Sequence, residues 1–193
     1  RGCAASFELL VRRYQTPVLH FLRHRGSLAD AEDLLQETFL RAYTRLEHYR
    51  EKWRFAVWLF TIARRISIDH HRRRRRAGDS EGLRGVESPV PEPAEQAARD
   101  EDRQRLWDLA ARVLSEDERT AVWLYYVEEM PAREIAAVLN RSWVAVKTML
   151  FRARRRLLPL VREELSEGRA GGPRRSKGRR PNVDLVGVEV PHG

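Results

Sequence analysis

From Asp30 to Tyr49 the apolar positions recur at helical spacing. Stepping about 100° per residue sets Ala31, Leu34, Leu35, Thr38, Phe39, Ala42 and Leu46 on one side, which is a core face. The opposite side carries Asp33, Gln36, Glu37 and Thr44, and Leu40 stands among them. A leucine exposed inside an acidic face is a candidate contact with another molecule. The plain alternative is a solvated charged face with one stray apolar residue, which is common on monomers. The next stretch spaces Trp53, Phe55, Trp58, Leu59, Ile62 and Ile66 in the same way, with Arg64, Arg65, His70, His71 and the run Arg72 to Arg76 on the opposite side and far end. Upstream, Phe7, Leu10, Val11, Tyr14, Val18, Phe21 and Leu22 share a face, with Ser6 as its cap. Pro17 is expected to bend that helix or divide it in two, and Gly26-Ser27 supplies the following turn. Residues 6–76 therefore read as one helical bundle.

After Arg76 the pattern stops. Residues 77–98 are rich in Gly, Pro, Ser and Glu and too poor in apolar positions to build a core, so they read as a flexible linker. A second helical unit spans 99–165. Leu106, Leu109, Ala110 and Val113 share one face, and Ser115-Glu116-Asp117-Glu118 forms a capping box for the next helix. Pro131 opens a short helix, Asn140 supplies the left-handed residue that ends it, and Ser142 caps a long helix running through Leu158. A short helix, a tight turn and a long basic helix make a helix-turn-helix, whose second helix enters a major groove. On that helix Val146, Leu150, Ala153 and Leu157 face inward, with Trp143 at the edge. Ser142, Val144, Lys147, Thr148, Phe151, Arg152 and Arg155 are the candidate upstream-DNA contacts. Residues 166–193 read as a basic, disordered tail in which NVDLVGVEV alternates weakly like a strand. The fold class is all-α, with two small helical domains joined by a flexible linker.

Charge narrows the partner. The chain has 193 residues and a formal net charge of +9, which suits a polyanion. Arginines beside aromatic rings suit single-stranded or melted nucleic acid, because guanidinium groups meet phosphates while rings stack on unpaired bases. The candidates on the first unit are Tyr49, Lys52, Trp53, Arg54, Arg64, Arg65, His70, Arg72 and Arg73, with His70 and His71 read as basic-surface histidines. No run approaches a transmembrane length and no secretory signal precedes the first amphipathic stretch, so no membrane insertion and a cytoplasmic location are expected. Cys3, the single cysteine, has no internal partner, and no cluster offers a metal site. No nucleophile with a base and no phosphate loop is present, so the chain reads as a non-enzyme without a cofactor.

The segments DAEDLLQETFLRAY and FAVWLFTIARRISIDHHRRRR resemble the second region of bacterial extracytoplasmic-function (ECF) sigma factors, in the sigma-70 family. LSEDERTAVWLYYVEEMPAREIAAVLNRSWVAVKTMLFRARRRL resembles their fourth region. The resemblance implies a promoter-specificity subunit that binds core RNA polymerase at the largest-subunit clamp and the flap, recognises promoter DNA and assists its melting. It assigns Asp33, Gln36, Glu37 and Leu40 to the clamp, and it admits an anti-sigma factor as a further partner. The chain departs from the family pattern at Arg65, Pro131, Asn140 and Met149, where Asn, Ser, Gly and Arg are common. The rival readings are a stand-alone helix-turn-helix regulator and, more distantly, a recombination enzyme with this unit as its targeting arm.

Overall fold

The computed structural model describes residues 4–25, 28–77 and 105–170, and every regular element among them is helical. The first unit consists of α1 (Ala4–Arg23), α2 (Leu28–Thr44), a 3-10 turn at Leu46–His48 and α3 (Phe55–Arg76). The second consists of α4 (105–113), α5 (Glu116–Tyr126), α6 (Ala132–Leu139) and α7 (Trp143–Ala170).

In the first unit α1 runs unbroken through Pro17, so the proline does not divide it into two helices. A proline inside a helix costs about 3 kcal/mol. Val18, Phe21 and Leu22 follow it directly and are all buried, each contributing about 1.5–3 kcal/mol, so burial outweighs the lost backbone bond. Ser6 lies inside this helix, which starts at Ala4, and does not cap it. The predicted core face of α2 is buried at Ala31, Leu34, Thr38, Phe39 and Ala42, while Leu46 is half-buried in the 3-10 turn. Phe7 of α1 meets Phe39 edge-on, and Phe21 meets Phe60 of α3 in the same way. α3 starts at Phe55, so Trp53 and Arg54 precede the helix. The Tyr49 hydroxyl donates to the Trp53 carbonyl at 2.9 Å and ties that loop into a turn.

In the second unit Leu106 is exposed rather than on the inner face of α4. The helix is rotated to bring Trp107, Ala110 and Leu114 inward, because the Trp107 ring lies 4.9 Å from that of Trp123 and covers more apolar area than a leucine can. The capping box is fully formed: Ser115 Oγ accepts from Glu118 N at 3.3 Å, and Glu118 Oε2 accepts from Ser115 N at 2.9 Å. Glu118 is itself buried and accepts from Arg156 Nη1 of α7 at 2.9 Å. Ser115→Ala is expected to cost about 1 kcal/mol, read as a lower denaturation midpoint at unchanged slope in urea.

Pro131 is the residue before α6 rather than its first helical position, with extended backbone. Asn140 is left-handed at φ 52° and ψ 50°, a conformation whose steric cost Asn bears better than most residues. Ser142 Oγ accepts from Ala145 N at 3.2 Å, capping α7. The helix continues beyond Leu158, through Pro159, to Ala170. Val146, Leu150 and Ala153 are buried under it.

Within each unit the helices pack pairwise, α1 and α3 on α2 and α5 and α6 on α7, and α3 also packs against α6. The two units are therefore in contact. The linker beyond Ala77, Cys3, the tail beyond Ala170 and its strand-like segment lie outside the described residues.

Candidate nucleic-acid interface

On α2, Asp33 and Gln36 are exposed and Leu40 is 64% exposed. Glu37 is ion-paired with Arg41 one turn on. Tyr43, three residues after Leu40 and so its neighbour on the surface, is exposed as well and packs one edge on Phe7. The face is thus apolar and acidic together. Tyr43 escaped the sequence reading because the helical wheel places it between the two sides.

The residues expected to meet melted DNA do not form a single cluster. Tyr49, Lys52 and Trp53 cluster in the loop before α3. Tyr49 packs edge-on against Phe55 at 5.6 Å and at a tilt against Trp58 at 5.4 Å, which leaves Trp53 and Lys52 as the exposed members of the loop. Arg72 and Arg73 are exposed at the far end of α3, roughly 30 Å away at 1.5 Å per residue. Arg65 is exposed between them. His70 and His71 are half-buried rather than on the open surface. His70 Nε2 lies 3.6 Å from Asp30, which also accepts from Arg74 at 2.8 Å. Burial, aided by the charge of Arg25, pushes the His71 imidazole down and favours its neutral form.

Arg54 and Arg64 are both engaged by acidic side chains of the second unit, Arg54 while still exposed and Arg64 largely covered. Arg54 Nε lies 2.9 Å from both Glu134 carboxylate oxygens on α6, and its Nη2 binds the same group. Arg64 Nη2 donates to Asp117 Oδ1 at 2.6 Å, and the side chain is only 16% exposed. Arg141, from the helix-turn-helix turn, donates to the other oxygen of Asp117 at 3.0 Å. Burial alone would push the Asp117 carboxyl up, but the hydrogen bonds from Arg64 and Arg141 outweigh it and hold it below the ordinary carboxylate range. A depressed carboxylate stabilises the fold above its unfolded pKa, and that stabilisation is lost only as pH falls through the lower folded value. The contact is therefore complete at neutral pH.

Arg25 completes the junction. It is buried, donates Nε to Ser67 Oγ at 3.0 Å and Nη1 to Thr120 Oγ1 at 2.6 Å, and pairs with Glu116. Burial lowers its pKa to about 10, against the attraction of Glu116, so it remains a cation. Sequence reading missed Arg25, Glu116, Asp117 and Glu134. The acidic first turn of α5 carried a signal, but it was spent on the capping box.

On the second unit the expected DNA face lies together. Val144, Lys147, Thr148, Phe151, Arg152 and Arg155 are all exposed along α7, opposite its buried stripe. Ser142 sits at the start of that face, with its hydroxyl engaged in the cap. Lys147 Nζ lies 4.0 Å above the Trp143 ring, and the Arg155 guanidinium lies 6.0 Å from that of Phe151. These are cations set on aromatic rings, and they hold two basic side chains on the exposed side of α7.

Known proteins share this arrangement. Sigma-70 region 2 matches residues 10–77 and sigma-70 region 4 matches residues 104–157, which defines a transcription factor of the sigma-70 class. The sigma factor SigM of Bacillus subtilis is 35% identical over 140 residues, 71% of this chain and 83% of its own. The sigma-H factor of Pseudomonas aeruginosa is 31% identical over 182 residues, 84% of this chain and 92% of its own. The probable sigma factor RfaY of Xanthomonas campestris is 33% identical over 170 residues, and the chain spans 41% of that protein's length. Among solved structures, RpoE of Bartonella quintana in complex with the anti-sigma factor NepR superposes with a TM-score of 0.66 at 27% identity, covering 81% of this chain and 96% of that one. CnrH in complex with the cytosolic domain of CnrY gives 0.64 at 26%, covering 84% and 91%. The chain belongs to the extracytoplasmic-function subfamily of RNA polymerase sigma factors.

Proposed function

We propose that this sigma factor directs core RNA polymerase to its promoters through three surfaces. Asp33, Gln36, Glu37 and Leu40 dock on the polymerase clamp. Tyr49, Lys52, Trp53 and Arg54, with Arg64, Arg65, His70, Arg72 and Arg73, engage the melted proximal element. Ser142, Val144, Lys147, Thr148, Phe151, Arg152 and Arg155 read the upstream element in the major groove. It acts by binding alone, without a reaction of its own, and does so in the cytoplasm. No described helix is long and apolar enough to cross a membrane. An anti-sigma factor, of the kind bound to the Bartonella relative, would regulate it by covering these faces.

The observation that carries this reading is Leu40, exposed in an acidic face on the unit that does not hold the helix-turn-helix. A stand-alone repressor has no use for that face. The test is run-off transcription with purified core polymerase and a genomic promoter library. Discrete transcripts that depend on the protein are expected, and transcription unchanged by its addition would overturn the reading.

A further inference from the structure

Trp143 and Arg133 belong to none of the three proposed surfaces, yet both stand in the helix-turn-helix. Trp143 is the first residue of α7 and is 41% exposed, and Arg133 lies in the first turn of α6. The Arg133 guanidinium lies 5.9 Å from the centre of the Trp143 ring, and Lys147 Nζ lies 4.0 Å from it. One indole thus serves two exposed cations drawn from two helices. Other arginines of this unit are matched to acids, Arg141 to Asp117 and Arg156 to Glu118. Among the described residues Arg133 and Lys147 pair with no carboxylate and have the ring instead. A ring face attracts a cation through its quadrupole without neutralising it, so both side chains keep their full charge for an outside anion.

We propose that Trp143 is a positioning residue that holds Arg133 and Lys147 as a paired clamp on the backbone phosphates bordering the upstream element. In a helix-turn-helix the first helix crosses the DNA backbone while the start of the second enters the groove. A cation from each, gathered on one ring, therefore meets the groove edge, where phosphates are presented. Free lysine and arginine side chains lose rotamer freedom when they contact DNA, and a side chain already seated on a ring has less to lose. Lys147 is thereby assigned to phosphate rather than to a base, and base reading is left to Val144, Thr148, Phe151, Arg152 and Arg155. The inference rests on reading α7 as the groove helix.

The test measures affinity of the full chain, across a series of salt concentrations, for an upstream duplex from a promoter recovered in the run-off assay and for a scrambled version of it. Arg133→Gln with Lys147→Gln should weaken both duplexes alike and make the salt dependence shallower by about one for each cation removed. Trp143→Leu keeps every charge and should weaken both by about fivefold, while Trp143→Phe, which keeps a ring, should recover most of that loss. Added to the Arg133→Gln and Lys147→Gln pair, Trp143→Leu should change nothing further. An indole that packs the turn or touches a base itself would still weaken binding in that background, and such a result would overturn the proposal. Loss confined to the recovered duplex would overturn it too, since phosphates are alike in every sequence, as would unchanged affinity in the charge variants. Should Trp143→Leu lower the melting temperature, the charge pair and its salt dependence decide alone. The groove reading is checked separately by Arg152→Ala with Arg155→Ala. Affinity lost there but unaltered in the charge variants would overturn the clamp alone, and affinity unaltered by both pairs would overturn the placing of α7 in the groove.

Discussion

Replacing Leu40 by alanine together with Asp33 by lysine is expected to lower affinity for core RNA polymerase tenfold or more without changing the fold. Leu40 is 64% exposed and Asp33 is exposed beside it, so neither supports the core of the first unit. A leucine buried at an interface contributes roughly 1.5–3 kcal/mol, and reversing a neighbouring charge against a basic partner adds repulsion. At about 1.4 kcal/mol per decade the leucine alone accounts for the tenfold. A core-binding titration and thermal denaturation by circular dichroism should be run on the same sample. Weaker binding at an unchanged melting temperature is the expected pair of results. A lower melting temperature would make Leu40 structural, and unchanged binding would remove α2 from the polymerase interface.

Arg152→Ala with Arg155→Ala is expected to weaken upstream-element binding tens-fold or more while leaving polymerase affinity intact. Both side chains are exposed on α7, opposite Val146, Leu150 and Ala153, so their loss leaves the helix packed. A base contact contributes about 1–3 kcal/mol, and two together about 2–6 kcal/mol, a loss from tens-fold upward. Comparing the cognate duplex with a scrambled one separates the roles. Loss confined to the cognate duplex marks base reading, while equal loss on both, with a salt dependence shallower by about one for each arginine, marks phosphate contact. Unchanged affinity for both would exclude this face of α7 from the groove.

Much of the fold could be read along the chain because it depends on neighbours within a turn or two. The capping box at Ser115 and Glu118 needs residues three apart, and the left-handed Asn140 and the Ser142 cap are equally local. The exposed Leu40 and the open face of α7 follow from which side of a helix is apolar. Where local rules competed with burial they failed: Pro17 did not break α1, and Trp107 displaced Leu106 from the inner face of α4.

The sequence by itself determined that this chain is a pair of helical units, which faces of their helices are buried, and where arginines and aromatics cluster along them. Helical periodicity is a short-range property, and it tells a buried side from an exposed one without saying what covers it. Only the tertiary structure decided that Arg54 meets Glu134 across 80 positions and Arg64 meets Asp117 across 53, because a basic helix face and an acidic helix start are each fully satisfied by water until packing brings them together.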